Sequence, residues 1–306
     1  MSTDTPPRAD VALPGAAQGR GGRRRGREDE FTAQTHVYEP HVVGLPPLRS
    51  YLREVWRRRD FALLLSRTQV EAKHYDTVFG RLWLVLNPVL LASVYFVLVD
   101  IIRRGHRPPG FFGHLLAGIF AYYLVSDSLR DAVRSVTSGG RLILNSAFPR
   151  VLLPLSSTVT SLRRFGAAIF VYVPVHAITG LPVTASTLWV IPLVGLLIIM
   201  AAGLSMIVAT VQVYFRDMAN FLPYLLRMWL YVSPVLYYAD DVPGRYKFLL
   251  DANPLGQLLA AWSQALHNGA TPGINSLLVA SAWAFGTFFF GFFLFVSRER
   301  EFAVRL

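Results

Sequence analysis

The sequence predicts an all-α integral membrane protein. It would have six transmembrane helices, an N-terminal amphipathic interface helix and a re-entrant periplasmic helical hairpin before the last span. Of the 306 residues, 53% are hydrophobic and only 16% are charged, which is too apolar for an ordinary soluble domain. The apolar residues form six long runs, and because a backbone in hydrocarbon must satisfy its own hydrogen bonds, these runs are expected to be helices.

Residues 1–47 are predicted to form a disordered, basic cytoplasmic tail. They are rich in Pro, Gly, Ala, Arg and acidic residues, with little to bury, and include three consecutive arginines at 23–25. No apolar core follows these arginines closely, so we do not expect a signal peptide. The net charge of +11 fits contact with anionic lipid. Since no base-reading signature accompanies it, we expect no nucleic-acid partner.

Residues 48–76 are predicted to form an amphipathic helix at the cytoplasmic membrane interface. Apolar side chains such as Leu52, Val55 and Trp56 are interleaved with arginines such as Arg53 and Arg57. The segment lacks an unbroken apolar stretch long enough to span, and it is too apolar to leave the membrane surface. A helix packed on a soluble partner fits the pattern equally well, and the two interpretations are compatible.

Residues 77–306 are predicted to be one transmembrane domain. Its second and fifth apolar runs are shorter than the roughly 20 residues of a spanning helix, which leaves tilt or a re-entrant piece open. The six predicted spans are Leu82–Ile102, His114–Leu129, Ser156–Ile178, Leu188–Val213, Phe221–Tyr238 and Ser276–Ser297.

The charges of the connecting segments predict that both termini face the cytoplasm of a bacterium, with the chain crossing its inner membrane. With the N-terminus inside, the cytoplasmic segments hold more arginines than the outer ones, as the positive-inside rule requires. The basic loop 103–109 is the exception, because it falls outside. Placing this loop in the cytoplasm would move every other connecting segment to the opposite side of the membrane, so we keep the predicted orientation.

No catalytic, cofactor-binding or metal-binding site is expected in this chain. It has no phosphate-binding loop of the GxxxxGK[ST] type, so ATP hydrolysis by that route is excluded. The only adjacent acidic pair in the transmembrane domain, Asp240 and Asp241, falls on the outer side, whereas a membrane-embedded transferase needs acidic residues at the cytoplasmic face. The histidines are scattered without metal-ligand spacing. The absence of cysteine excludes disulfides and thiolate sites.

The predicted cytoplasmic segment between the second and third spans, residues 130–155, has a mixed character. A Gly-Gly pair at 139–140 interrupts a helix, and a short apolar helix follows it. Short helices with exposed apolar residues favour docking of a soluble protein at this face. Alternatively, Leu142, Ile143 and Phe148 pack beneath the bundle.

Several motifs, in the expected order between about residues 60 and 300, together resemble the ABC-2 permeases of the polysaccharide-export type. TVFGRLWLVLNP at 77–88 is similar to that family's LGxLWxxLxP, and LNSAFPR at 144–150 with Pro154 resembles its FPRxxxP coupling segment. YFRD at 214–217, SPVLY at 233–237 and NP at 253–254 resemble its FRD, SPVxY and NP elements. The chain departs from the family pattern in its long tail, in Phe79 and in Arg227.

The resemblance implies a homodimeric permease paired with two copies of a separate ATPase subunit, in which ATP and Mg²⁺ would bind. The cargo it implies is a polyprenyl-pyrophosphate-linked polysaccharide exported across the inner membrane. The Arg/Pro/Ala-rich tail and the Cys-free chain look most like the actinobacterial, galactan-type members. Teichoic acid, O antigen and a small lipid or drug stay open as cargo. A membrane-embedded glycan transferase, which belongs to another class of protein, also stays open as the function.

By resemblance, two sets of residues transmit motion from the ATPase. An ATPase dimer that closes on ATP must move rigid elements, and the interface helix and the 141–150 segment are the candidates. The predicted ATPase-coupling residues are Arg141, Leu142, Asn145, Phe148, Pro149 and Arg150. The predicted gating residues are Asp60, Arg67, Tyr214, Phe215, Arg216 and Asp217. For Arg216 and Asp217, a local ion pair that caps helix ends is the alternative.

A polysaccharide conduit needs flat apolar faces for sugar rings. The predicted channel-lining residues are Tyr122, Tyr123, Tyr224, Arg227, Trp229, Tyr231, Ser233, Pro234 and Tyr237. Aromatic belts at the lipid interface explain Tyr and Trp residues equally well. Arg227 is a costly charge at intermediate depth, which we expect to face the pore and contact the pyrophosphate, or to pair with Asp100 or Asp127.

The long segment between the fifth and sixth spans, residues 239–275, is predicted to hold two short helices broken near Asn253-Pro254. Each is too short to cross the membrane, so a re-entrant hairpin in the outer leaflet is expected. By resemblance it forms a periplasmic gate that includes Tyr246, Phe248, Asn253 and Pro254. A simply folded outer loop is the alternative.

Overall fold

The computed structural model describes residues 47–72, 82–106, 108–139 and 148–305. Within these ranges every regular element is a helix, so the predicted all-α class is confirmed. The predicted tail lies outside the described ranges except for Pro47. In chain order the α-helices are α1 (Leu48–Arg57), α2 (Arg59–Ala72), α3 (Trp83–Ile102), α4 (Phe111–Ala132), α5 (Ser135–Ser138), α6 (Leu152–Ile178), α7 (Val190–Tyr214), α8 (Met218–Val232), α9 (Phe248–Ala252), α10 (Gly256–Leu266), α11 (Ile274–Arg298) and α12 (Phe302–Arg305).

Six long helices, α3, α4, α6, α7, α8 and α11, coincide with the six apolar runs of the sequence. Among the described residues, three segments are long and apolar enough to cross a membrane, namely Val85–Ile102, Ala185–Tyr214 and Ile274–Glu301. A span of 18 or more such residues matches the thickness of a bilayer core. The fold therefore has the apolar helices of an integral membrane protein.

Three of the predicted spans have clearly different boundaries in the structure, and the third span starts at Leu152 rather than Ser156. The second is longer than predicted, since α4 has 22 residues and starts directly after Gly110, which has a left-handed φ of 73°. The fifth is shorter than predicted, since α8 ends at Val232 and Ser233 is extended. Pro234 explains this end, because a proline cannot donate a helical hydrogen bond and disfavours a helical conformation in the residue before it.

Helix α4 lies at the centre of the bundle and is buried over most of its length. It packs against α3, α6, α7, α8 and α10. Small residues bring its neighbours close, since a Cβ atom built on Gly118 would lie 3.2 Å from the Val235 side chain. Such close contact matters in lipid, where apolar side chains gain nothing from leaving water and packing must supply the association energy.

Helices α7 and α11 pack against each other along their length. At their crossing a Cβ atom built on Gly203 would lie 2.5 Å from the backbone of Phe288, and one built on Gly291 would fall on the Gly203 carbonyl oxygen. Only glycine fits at both positions, because its missing side chain lets the two backbones touch. This pair of glycines fixes the position of α11 on the bundle.

Helices α3 and α11 lie at the edge of the bundle. Only 11% of the apolar window of α3 and 17% of that of α11 is buried, against 44% for α7. The outer side of α3 presents Val94, Val97 and Ile101, and that of α11 presents phenylalanines such as Phe290. Surfaces this apolar require lipid or another protein chain as their surroundings.

The polar contacts divide the bundle into two ends. We call the end that holds both ends of the described chain the terminal end, and there Tyr51 hydrogen-bonds to Glu299. It consists of α1, α2 and residues 148–151, 214–217 and 299–305. The hairpin end, where the Tyr238 hydroxyl lies 2.9 Å from His267 Nε2, carries residues 103–106, 179–189 and 233–273.

The basic loop that breaks the positive-inside pattern is partly neutralised at the hairpin end. Arg103 Nη2 lies 2.6 Å from Asp241 Oδ2. Asp241 belongs to the acidic pair that the sequence places on the same side as this loop. The positive-inside rule counts Lys and Arg and gives little weight to acidic residues, so the loop stays an exception to the predicted orientation despite this ion pair.

Candidate functional site

A hydrophobic cluster at the terminal end joins the predicted coupling segment to the end of the chain that follows α11. Its buried members include Val136, Val151, Phe295 and Phe302, and Phe148 packs against them half-buried. The rings of Phe295 and Phe302 meet edge to face at 5.1 Å. The cluster therefore holds the start of α6, the end of α11 and α12 together.

Three polar residues on this cluster form a network that we call the Glu299 cluster, namely Tyr51, Arg150 and Glu299. The Tyr51 hydroxyl donates to Glu299 Oε2 at 2.5 Å, and the Arg150 backbone N–H donates to Glu299 Oε1 at 2.5 Å. Arg150 Nη1 also donates to the Glu299 backbone carbonyl. One carboxylate thus connects α1, the coupling segment and the segment after α11 through charge-assisted hydrogen bonds.

The electrostatics keep the donor of this network protonated. Burial and the neighbouring Glu299 charge raise the pKa of Tyr51, so its hydroxyl remains a donor. Burial also raises the pKa of Glu299, although the hydrogen bonds from Tyr51 and Arg150 act in the opposite direction. The ionised form of a partly buried carboxylate is stabilised by its hydrogen-bond donors, because the carboxylate has lost part of its hydration.

The predicted interface helix contacts the coupling segment directly. The rings of Phe61 on α2 and Phe148 lie 5.1 Å apart. Arg163 on α6 also donates to the Leu63 carbonyl at 3.3 Å. Phe148 therefore packs beneath the bundle, as one of the two interpretations of this segment requires, and Pro149 is buried. The predicted coupling residues Arg141, Leu142 and Asn145 lie outside the described residues.

Four of the predicted gating residues surround the point where α7 ends. The Tyr214 hydroxyl donates to Glu301 Oε2 at 2.6 Å, and Arg216 Nη2 donates to the Arg305 carbonyl at 3.4 Å. Phe215 is exposed, and Asp217 immediately precedes α8.

Neither proposed role of the Arg216–Asp217 pair appears in these contacts. Within the described ranges no ion pair joins Arg216 to Asp217, and no hydrogen bond or ion pair joins either residue to α2. Arg216 instead contacts the segment after α11. The other predicted gating residues, Asp60 and Arg67, lie exposed on α2, where Asp60 is 3.9 Å from Arg59.

At the hairpin end, Asn253 connects α8 to the predicted gate. Its Oδ1 accepts from Trp229 Nε1 at 2.7 Å and from the Leu255 N–H at 3.0 Å, and its Nδ2 donates to Ser233 Oγ at 3.1 Å. Asn253 and Pro254 separate α9 from α10, so the predicted break between two short helices is present. A buried side chain with three partners fixes the hairpin on the end of α8.

Asn253→Ala is expected to lower the free energy of unfolding by about 2 kcal/mol, because the Trp229 and Ser233 side chains lose a partner while partly or fully buried. Thermal unfolding of the purified chain, followed by tryptophan fluorescence, measures the loss. Asn220→Ala is the control, since Asn220 is exposed on the same helix as Trp229. Equal midpoints for the two variants would contradict the assigned role of Asn253.

The predicted channel residues differ widely in exposure. Tyr122 is 1% exposed and its hydroxyl donates to the Leu226 carbonyl, so it belongs to the core in this structure. Ser233 and Pro234 are also buried. Tyr123 and Trp229 are half-buried.

The exposed members of the predicted lining lie together on α8. Tyr224 is 66% and Tyr231 48% exposed, and Arg227 between them is exposed too. The hydroxyls of Tyr231 and Tyr95 on α3 lie 3.1 Å apart. Just beyond α8, the Tyr237 hydroxyl donates to the Val232 carbonyl at 2.6 Å. The predicted gate residues Tyr246 and Phe248 are exposed at the hairpin end.

Asp127, one of the two predicted partners of Arg227, is engaged elsewhere. Asp127 lies 3.2 Å from Arg130 and 3.7 Å from Arg164. Asp131 lies 2.8 Å from Arg164, which is almost buried on α6. In the part of the chain that the structure describes, no ion pair involves Arg227. Sequence reasoning missed this group, although Asp127 and Asp131 are four residues apart and therefore share one side of a helix.

Sequence reasoning also missed Tyr51 and Glu299. The one available signal for Glu299 was its place in the short run Glu299-Arg300-Glu301, which is the only acidic stretch in the segment after the last apolar run. Such a run predicts a solvated helix end as readily as a buried contact. The partner residues lie 248 and 149 positions away in the chain, and no local pattern encodes a contact at that separation.

The apolar helices and the clusters at the two ends define an α-helical integral membrane protein whose connecting segments are fixed to its last helix. Residues 60–267 match the family described as ABC-2 type transporter. The chain belongs to this family, and the predicted resemblance is confirmed. Family members are transport subunits, so the prediction of a transporter rather than an enzyme is confirmed as well.

Curated relatives include two O-antigen export system permeases and a polysialic acid transport protein. The chain is 26% identical over 211 residues to the O-antigen export system permease protein RfbA of Klebsiella pneumoniae, covering 69% of this chain and 81% of that protein. It is 24% identical over 258 residues to RfbA of Myxococcus xanthus, covering 82% and 97%. It is 23% identical over 229 residues to the polysialic acid transport protein KpsM of Escherichia coli, covering 72% and 86%.

Proposed function

We propose that this chain is the permease subunit of an ATP-driven exporter that moves a lipid-linked polysaccharide from the cytoplasm across the bacterial inner membrane. The similarity to an O-antigen permease over 97% of that protein's length carries this proposal. A separate ATPase is required, because the chain has no phosphate-binding loop of the GxxxxGK[ST] type. ATP and Mg²⁺ bind to that partner.

The working assembly is a dimer of this chain with two ATPase subunits. The exposed apolar side of α3 supports a second copy, since so little of this helix is covered within one chain. The exposed side of α8, with Tyr224, Arg227 and Tyr231, then supplies the lining along which the sugar chain moves. Tyrosine faces suit this role because they stack on sugar rings without holding a fixed charge.

The coupling route runs from the 141–150 segment and the interface helix into the bundle. The ring contact between Phe61 and Phe148 lets the interface helix and the 141–150 segment move together. The Glu299 cluster then connects them to α11. Motion of a docked ATPase is in this way passed to a packed helix rather than to a flexible loop.

The chain crosses the membrane six times, with both termini in the cytoplasm, α1 and α2 at the cytoplasmic interface and the α9–α10 hairpin re-entrant from the periplasm. The contacts support the grouping of segments into two sides, and the positive-inside rule supports which side is cytoplasmic. Segments assigned to the cytoplasm meet one another at the terminal end, as Tyr51 and Glu299 do. Segments assigned to the outside meet at the hairpin end, as Arg103 and Asp241 do.

Single cysteines are expected to report this orientation. The chain has no native cysteine, and Ser138 and Lys247 are exposed at the terminal and hairpin ends. In intact spheroplasts a membrane-impermeant maleimide should label Lys247→Cys, whereas Ser138→Cys should react only after permeabilisation. The reverse pattern would contradict the orientation and, with it, the proposed coupling route.

Transport itself is tested in proteoliposomes that contain the chain and its ATPase. We expect ATP-dependent appearance of a lipid-linked glycan in the lumen of inside-out vesicles. Arg227→Ala is expected to slow transport at least about tenfold, since a charge that meets the diphosphate is worth more than about 1.4 kcal/mol. Arg104→Ala, which removes an exposed positive charge outside both the lining and the predicted gate, is the control. Transport of teichoic acid or a small lipid in place of the glycan would show that the proposed cargo is wrong. Glycan transfer catalysed by the chain alone would show that it is a transferase and not an exporter subunit.

A further inference from the structure

We propose that a basic pocket at the terminal end binds an acidic side chain, Asp or Glu, of the ATPase subunit. The pocket lies between α5, the end of α7 and α12, and has a volume of about 230 Å³. It is lined by Thr137, Gln212, Val213, Arg216 and Arg305. This inference rests on the proposed function, because it requires the ATPase partner.

The two arginines of the pocket are in contact, and their charges are poorly compensated. Arg216 Nη2 donates to the Arg305 carbonyl at 3.4 Å. No carboxylate belongs to the lining, and within the described ranges Arg216 forms no ion pair. Arg305 Nε lies 3.9 Å from Glu301 Oε2, and an exposed ion pair of this kind contributes little. The pocket therefore has an excess of positive charge and favours an anionic ligand.

The Glu301 carboxylate is engaged mainly by other partners. The Tyr214 hydroxyl donates to its Oε2 at 2.6 Å. Arg298 Nη1 lies 3.2 Å from its Oε1. Both oxygens thus have a closer partner than Arg305, so Glu301 does not neutralise the pocket.

A buried side chain fixes the turn that carries Arg216. Gln212 Nε2 donates to the Arg216 carbonyl at 2.8 Å, and Gln212 Oε1 accepts from the Ala219 N–H at 2.7 Å. Gln212 is 6% exposed, so these bonds are shielded from water. The backbone position of Arg216 is therefore set before a ligand binds, which reduces the ordering cost of binding.

The position of the pocket favours a protein carboxylate over a lipid headgroup. Helix α5 follows the central helix α4 and packs against α4, α6 and α7, so this wall of the pocket lies beneath the bundle. Thr137 on α5 stands four residues before Arg141, the first predicted coupling residue. The pocket thus adjoins the segment on which we propose that the ATPase docks. Guanidinium groups bind carboxylates through paired hydrogen bonds.

Binding of the ATPase subunit to the full-length permease in nanodiscs tests the pocket. Arg216→Glu is expected to weaken binding at least about tenfold, because it replaces attraction by repulsion. Arg305→Glu should have a similar effect. Arg104→Glu makes the same charge change at an exposed position of the hairpin end and should leave the affinity unchanged. Added salt should weaken wild-type binding more steeply than binding of Arg216→Glu.

A zero-length cross-link identifies the acidic residue of the partner. The permease has lysine only at positions 73 and 247, so an introduced lysine adds few alternatives. In the assembled complex, carbodiimide should join Arg216→Lys to an Asp or Glu of the ATPase through an amide bond. Arg104→Lys should give no such product. Unfolding midpoints of the permease variants alone separate lost binding from lost fold, and the cross-link requires only the conservative lysine variant.

The outcomes distinguish this inference from the proposed function. Equal ATPase affinity of Arg216→Glu and Arg104→Glu would overturn the inference and leave the proposed function intact. A lysine at 216 that cross-links only within its own chain would do the same. So would retained phosphatidylglycerol that Arg216→Glu loses while its ATPase affinity stays that of the wild type. A wild-type permease that binds no ATPase would refute the proposed function, and the inference with it.

Discussion

Replacing Glu299 by alanine is expected to uncouple ATP hydrolysis from transport and to lower the free energy of unfolding by about 2 kcal/mol. The change leaves the Tyr51 hydroxyl and the Arg150 backbone N–H without their acceptor. The interface helix and the coupling segment then lose their connection to α11. ATPase activity of the full complex with and without lipid-linked glycan, together with the unfolding midpoint, measures both effects.

Two variants make this prediction specific. Glu299→Gln keeps an oxygen acceptor for the neutral donors and is expected to recover most of the stability but less of the coupling, because the charge-assisted bonds weaken. Asp240→Ala changes an exposed acidic residue at the hairpin end and should leave the unfolding midpoint unchanged. Stimulated ATPase activity in Glu299→Ala equal to that of the wild type would exclude the Glu299 cluster from the coupling route.

Gly203→Ala is expected to destabilise the bundle by about 3 kcal/mol, the upper part of the range for overpacked cores. The new methyl group would lie 2.5 Å from the backbone of Phe288, and a backbone cannot turn away as a side chain can. Helix α11 must therefore shift, which also disturbs the Glu299 cluster that follows it. Unfolding in a denaturing detergent titration measures the loss.

Helix α11 contains its own control for this prediction. A Cβ atom built on Gly286 meets nothing within 4 Å, so Gly286→Ala should be neutral or stabilise by about 0.5 kcal/mol through helix propensity. Gly291→Ala should behave like Gly203→Ala, because its methyl group would fall on the Gly203 carbonyl oxygen. A Gly203→Ala chain as stable as Gly286→Ala would show that the two helices are free to move apart.

The positions of the six long helices could be predicted because apolar length alone identifies them. Their ends could be predicted only where a residue forces the backbone to change direction. The end of α8 at Val232 follows from Pro234, and this signal was present in the sequence. The extension of α4 to Phe111 and Ala132 was not predictable in the same way, because it depends on burial against the neighbouring helices.

The candidate site could be predicted at the level of segments but not of contacts. Phe148 and Arg150 stand in a motif, and the structure brings both to the terminal end. Tyr122 and Tyr224 both stand in apolar helices, yet one is buried and the other exposed. A helix that is apolar all round gives no signal for which side faces the bundle. Exposure of single tyrosines therefore requires the packed structure.

The hydrogen bonds at Glu299 also impose an order on synthesis. The ribosome makes Tyr51 and Arg150 long before it makes Glu299, which follows the last long helix. Until that helix has been made and packed, the Tyr51 hydroxyl and the Arg150 backbone N–H have no Glu299 to donate to. The contacts that join α1 and the start of α6 to the end of α11 are therefore among the last that the growing chain can form.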